Sequence, residues 1–168
     1  KLDFLAELSV DWEKSAYQFS EIAERVVCLR TAMVLAKEGG SFVPLKKLTD
    51  FNLASPVGKG KQWMNWIHIE DLANMYVEAI ENPQYNGSYN AVADEMVTNE
   101  TFMKSMAQKS NKFFLPIPVP EFMMKLIMGE MSSIILEGSR ASNEKIKSTG
   151  FTFKYPNLNA ALDDLINK

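Results

Sequence analysis

The chain has 168 residues, 46% of them hydrophobic and 23% charged, with a net charge of −3 and one cysteine, Cys28. That is the size and composition of one globular unit able to bury a core. It leaves no case for a nucleic-acid partner, which needs a clustered basic face. No apolar run approaches the roughly eighteen residues of a membrane span, and a lone cysteine cannot build a disulfide framework. Cys28 sits in an apolar run and reads as a small buried hydrophobe, and a reducing, cytoplasmic compartment is the expectation. The first residue is Lys1 rather than Met, so the chain is expected to begin partway through a longer product.

The spacing of Phe4, Leu5, Leu8, Trp12, Ala16, Phe19 and Ile22 predicts an amphipathic helix over 3–24. The run RVVCLRTAMVLA, 25–36, reads as an inner strand covered on both faces, as in a parallel sheet. Gly39–Gly40 end it, and a short helix follows at about 42–51. QWMNWIHI reads as a short strand and EDLANMYVEAIEN as a helix, with Asp71 placed to cap or charge its first turn. Asn86–Gly87 marks a turn before the strand SYNAVA, and Thr98 caps a helix to about Lys109. FFLPIPVP must be extended because of its prolines, and it is expected to cover the protein's own core. Pro120 suits the start of a helix through Met128. Further helices are expected at 130–137 and 143–149, stopping at Gly138 and Gly150. GFTFKYP is strand-like, and a closing helix follows with Asn157 as cap. The alternation of strands and helices argues for α/β. The expected division is a sheet-bearing part, 1–110, and a small cap, 111–168.

Three features carry possible chemistry. GKGKQWMN, from Gly58, is not a phosphate-binding loop, since no Ser or Thr follows Gly60–Lys61 and no helix begins there; a glycine-permitted turn is the simpler reading. His68 has no second His beside it and too few near ligands for a metal. It is read as a structural histidine hydrogen-bonded at a strand end, with a catalytic base as the other reading. Arg30, inside an apolar strand, must meet a carboxylate, carbonyl oxygens or a ligand phosphate. The Met-rich stretch EFMMKLIMGEMSSIILEG offers ordinary helical core, a Met-lined pocket or a subunit contact in a homodimer.

The ordered set Trp12–Glu13, Leu29–Arg30–Thr31, Gly39–Gly40, Gly58 to His68, Leu136 to Arg140 and Gly150 to Pro156 resembles the epimerase-like, or cell-division-inhibitor-like, subgroup of the extended short-chain dehydrogenases/reductases. The resemblance spans the whole chain but only the C-terminal half of such a protein. It implies half of a Rossmann-type, doubly wound parallel sheet with a small α/β cap. The glycine fingerprint of that fold belongs to a first half that is not present. The implied cofactor is NADP or NAD, held only with that half. Arg30, Thr31, Met33 and Val34 would lie along the nicotinamide, and Gln62, Trp63, Trp66 and His68 would border the cleft for a small-molecule substrate.

Two departures qualify the resemblance. The family's Tyr-x-x-x-Lys acid/base pair falls on Leu5 and Ser9, and Tyr17 with Lys14 has the wrong order and spacing. The family's phosphate-contacting Arg-Asp reads Met64–Asn65, and its Asn after the Arg strand reads Met33, which speaks against a nucleotide-sugar substrate. The leading expectation is therefore the substrate-side half of an NAD(P)-dependent oxidoreductase or epimerase-like protein. The alternatives are a non-catalytic cofactor- or partner-binding member, and a stable fragment that binds no dinucleotide alone.

Overall fold

The computed structural model describes residues 4–128, 136 and 138–167. Helix α1 covers Phe4–Tyr17 and tightens into one 3-10 turn, Gln18–Glu21. Strands β1, Val27–Thr31, and β2, Met33–Leu35, precede helix α2, Phe42–Asp50. Strands β3, Trp63–Met64, and β4, Trp66–His68, lead into α3, Ile69–Glu81. Then come β5, Gly87–Ala91, β6, Val97–Thr98, and α4, Asn99–Lys109. Helices α5, Glu121–Met128, α6, Glu144–Lys147, and α7, Leu158–Asn167, complete the order.

The architecture is α/β, as the alternation of elements implies. Strand β1 runs parallel to β5, from Val27 opposite Gly87 to Thr31 opposite Ala91, and β2 runs parallel to β4. Strands β3 and β6 form a short antiparallel pair. The apolar run expected as one strand over 25–36 is two, because it changes partner. Ala32 N donates to Ala91 O at 3.2 Å, and the next amide, Met33 N, donates to Asn65 O at 3.3 Å. The strand expected over QWMNWIHI likewise breaks at Asn65.

Alternation along β2 and β4 supplies two cores. Leu35 and Trp66 enter the first, with Phe102, Met106, Leu158 and Leu162 of α4 and α7. Ile67 enters the second, with Leu72 and Met75 of α3, Tyr85, Tyr89 and Ile146, and Val34 packs against it. The proline-rich segment is extended, with bridges from Phe114 to Ala54 and from Val119 to Val57. Thr98 caps α4 through Thr101 N at 3.3 Å, and Asn157 Oδ1 accepts from Ala160 N at 2.9 Å in α7.

Several expectations change. Helix α1 stops at Tyr17 rather than 24, and much of the apolar stripe expected over 3–24 faces water: Phe4, Trp12, Phe19 and Ile22 are 61–84% exposed. The helix expected over 130–137 falls almost wholly outside the described residues, and the one over 143–149 is the shorter α6. GFTFKYP adds no strand, although Phe153 and Tyr155 alternate inward. Its amides are taken elsewhere: Lys154 N donates to Asp71 Oδ1 at 2.7 Å and Tyr155 N to Asp71 Oδ2 at 3.0 Å. Asp71, fully buried, charges the first turn of α3 as expected, but its oxygens tie residues 154 and 155 to that helix while His68 supplies the cap.

Replacing Asp71 with Ala strands two amides that the carboxylate now satisfies. The expected cost is about 3 kcal/mol, read as a lower urea midpoint, with Asp71→Asn losing less because it keeps one acceptor oxygen.

Candidate functional site

A cleft of about 650 Å3 lies between α1 and the carboxyl ends of β1 and β5, a size suited to a small ligand. One wall is the helical face Ser9, Trp12, Glu13 and Ala16, spaced as neighbours on one side of α1. The floor is β1 from Cys28 to Ala32, and the far side is Asn65, Asn90, Val92 and Ala141.

Arg30 reaches toward α1 and forms a two-pronged pair with Glu13, Nε to Oε1 at 2.6 Å and Nη2 to Oε2 at 2.8 Å. Its side chain is 59% exposed, so the strand does not bury it as its apolar neighbours suggest. Ser88 Oγ donates to Glu13 Oε2 at 3.2 Å, and Tyr17 OH lies 2.7 Å from Ser88 Oγ. The Arg30 guanidinium holds the Glu13 carboxyl below the usual carboxylate range, against a smaller upward push from burial. Glu13 in turn raises Arg30. An ionised, fork-held pair of this kind fixes the helix on the sheet and keeps Arg30 charged.

The segment 138–143 crosses the far side without regular structure and is stitched down by three asparagines. Asn65 Nδ2 donates to Ser139 O at 2.8 Å, and its Oδ1 accepts from Ala141 N at 3.3 Å. Asn90 Nδ2 donates to Ser142 O at 2.8 Å, and Asn143 Nδ2 to Val92 O and Ala93 O. Gly138 passes so near the Trp63 backbone that any side chain there would overlap it.

Of the residues singled out in the sequence, Arg30 and Thr31 line this cleft; Met33, Val34, Gln62, Trp63, Trp66 and His68 are not among its lining residues. Met33 and Val34 pack against the first and second cores. Gln62 Nε2 donates to Val57 O at 2.9 Å, within its own loop. Trp63 stays 36% exposed, while Trp66 has no exposed surface. His68 is buried and caps α3, its Nδ1 accepting from Glu70 N at 3.2 Å. Its ring stacks on Tyr155 with centroids 3.8 Å apart. Asp164 stands 3.6 Å from Nε2, beyond hydrogen-bond reach. Burial lowers the imidazole pKa and outweighs the upward pull of Asp164, Glu70 and Asp71, so the ring is neutral, as its acceptor role requires. Ser9, Glu13, Asn90 and Ala141 were not read as cleft residues. The three-and-four spacing of Ser9, Trp12, Glu13 and Ala16 is the one local signal that marks their shared face. Among the described residues no cluster of His, Cys, Asp and Glu could hold a metal ion, and no helix is long and apolar enough to cross a membrane.

Two pH effects follow. Glu13 has a depressed folded pKa, so its stabilisation is complete above 4.5, the unfolded value, and fades as pH falls through the folded one. Glu13→Gln is expected to lose about 1 kcal/mol or less at pH 7, because Arg30 is largely solvated, and to match the parent in strong acid, checked by denaturant melts. His68 also has a lowered folded pKa, so its neutral form supports folding above 6.5 and that support is lost as pH falls toward the folded value. His68→Asn, which keeps a capping acceptor, is expected to flatten that part of the stability profile.

Comparison with known proteins shows what the chain is similar to. A family model described as a domain of unknown function (DUF1731) matches residues 119–165. An epimerase family protein of Staphylococcus aureus is 36% identical over 166 residues, covering 99% of this chain and 55% of the relative. One from Staphylococcus saprophyticus is 35% identical over 165 residues, with the same 55% share. Among solved structures, the human epimerase family protein SDR39U1, isoform 2, crystallised with NADPH, superposes with a TM-score of 0.92 at 27% identity, over 100% of this chain and 57% of that one. A nucleoside-diphosphate sugar epimerase from Corynebacterium glutamicum superposes with a TM-score of 0.79 at 29% identity, over 99% of this chain and 32% of that one. The chain therefore spans about half the length of the curated relatives it matches. By sequence and fold the chain is similar to about half of these epimerase family proteins.

Proposed function

We propose that this chain is the substrate-side half of an NAD(P)-dependent oxidoreductase or epimerase-like enzyme acting on a small molecule. The observation that supports it most is the superposition of the whole chain on a human protein whose crystal structure contains NADPH. The cleft lies at the carboxyl ends of parallel strands, where ligands of open α/β sheets bind.

The residues present suit one end of a dinucleotide. Arg30 and Thr31 stand on the cleft floor, and Glu13 occupies Nε and Nη2 of Arg30, leaving Nη1 for a ligand oxygen. Asn65 and Asn90 offer no free charge, and both spend amide protons on segment 138–143. A pyrophosphate would need a glycine-rich strand-to-helix turn, which this sequence does not contain. In this reading residues 1–110 carry the sheet and the ring end of the cofactor site, and 111–168 form the cap over the substrate. A bound nicotinamide supplies the hydride chemistry. The chain's own residues orient ligands and close the cleft.

The non-catalytic reading is favoured by one feature. Ser9, where the family's lysine would stand, lines the cleft, and the charged groups beside it, Glu13 and Arg30, neutralise each other. Fluorescence titration with NADPH and NADH tests the proposal. Saturable binding is expected when the chain is joined to an N-terminal portion like that of its relatives, and none by the 168 residues alone. Tight binding by the chain alone would refute the division of labour. Binding without turnover across a panel of carbonyl compounds and sugars would select the non-catalytic reading.

A further inference from the structure

We infer that two copies of this chain associate about a twofold axis, each laying the apolar ridge of Leu53, Phe113, Leu115 and Ile117 against the same ridge of the other. The inference is independent of what the cleft binds.

Two extended segments, 51–57 and 113–119, run side by side and are laced together. Phe113 N donates to Asn52 Oδ1 at 3.1 Å, and Leu115 N to Ala54 O and Val119 N to Pro56 O, both at 2.8 Å. The parallel bridge of Ala54 with Phe114 fixes the register. Alternation then divides the side chains. Ala54 and Phe114 turn to the first core, while Leu53, Phe113, Leu115 and Ile117 turn out, joined by Leu48 and Phe51 where α2 ends. These six are 38–78% exposed. Together they present roughly 700 Å2, more than a monomer's usual largest patch and close to the ~800 Å2 that each partner of a standard dimer buries.

Strand pairing is not the means of contact. The free edge of 113–119 carries Pro116 and Pro118, which have no amide to donate. The outward side chains make the contact instead, on a backbone whose bracing keeps the entropy lost on docking small.

The charges point to a second copy as the occupant. Lys112 stands at one end of the segment and Glu121 at the other, both exposed. Neither has an ion-pair partner among the described residues. Two ridges laid in opposite directions place the axis near residues 116 and 117, so that Lys112 of each copy meets Glu121 of the other. An anionic membrane would repel Glu121. A portion like the N-terminal half of the relatives belongs beside β1, which faces the second core with β5, whereas the ridge backs on the first.

The test is sedimentation equilibrium of the 168-residue chain and of the chain joined to an N-terminal portion like that of its relatives. Both are expected to dimerise at micromolar concentration. Ile117→Asp should leave a monomer, with circular dichroism reporting that it is folded. Lys112→Glu and Glu121→Lys each set two like-charge contacts, and each should raise the dissociation constant about tenfold or more. The double variant, in which the opposite charges meet again, should return to within about threefold of the parent. Phe4→Ser, on α1, should leave the dimer unchanged. A monomeric parent, a dimer that survives Ile117→Asp or dissolves with Phe4→Ser, or a double variant that fails to recover would overturn the inference. So would a joined chain that is monomeric, which assigns the ridge to the N-terminal portion. Pelleting of a monomeric chain with phosphatidylserine vesicles would assign the ridge to a membrane and overturn it as well.

Discussion

A change of hydrogen-bonding partner at Ala32 organises this molecule. Backbone amides in a covered strand must be satisfied, and the apolar run from Val27 to Leu35 satisfies them in two places. Up to Ala32 its partner is β5; from Met33 it is the β4 side. The switch lets β2 and β4 feed one core on each face, and it opens the sheet where the two pairs part. The cleft reaches that parting, floored by β1 from Cys28 onward and bounded by Asn65 and Val92. A crevice at such a divergence follows from connectivity before any functional side chain is considered.

The polar groups around the crevice are mostly structural in their first duty. Glu13, Ser88 and Tyr17 attach α1 to the strands through directed bonds rather than apolar packing. Asn65, Asn90 and Asn143 do the same for segment 138–143, and Asp71 for the chain around Lys154. These attachments are directional, so they set where the walls stand more sharply than apolar contact could. Arg30 combines both tasks, since the carboxylate that anchors it also aims it.

Much of the fold was legible because it is written locally. Helix α2 follows the Gly39–Gly40 break, Thr98 shows its capping role at the start of α4, and the prolines of FFLPIPVP announce extended backbone. Cover on both faces of the sheet is announced by the unbroken apolar run RVVCLRTAMVLA. What stayed hidden depends on partners far along the chain. Nothing near Asp71 shows that its carboxylate serves amides more than eighty residues away, and nothing near Asn65 points to Ser139 and Ala141. The burial of Arg30 was overestimated for a related reason: its strand is apolar, yet its end opens on a cleft. His68 drew attention as a rare, reactive residue type, whereas its surroundings make it a neutral helix cap. The family resemblance reached further than local pattern, because ordered motifs encode those distant contacts without naming them.

Helix α1 and the turn after it expose four large side chains: Phe4 and Trp12 on the helix, Phe19 in the 3-10 turn and Ile22 just beyond it. Exposed apolar side chains of this size favour self-association. For a polypeptide of only these residues, colloidal behaviour would then respond to changes in α1 sooner than folding free energy does. A polar replacement at Phe4 or Ile22 would improve handling while scarcely moving a melting curve.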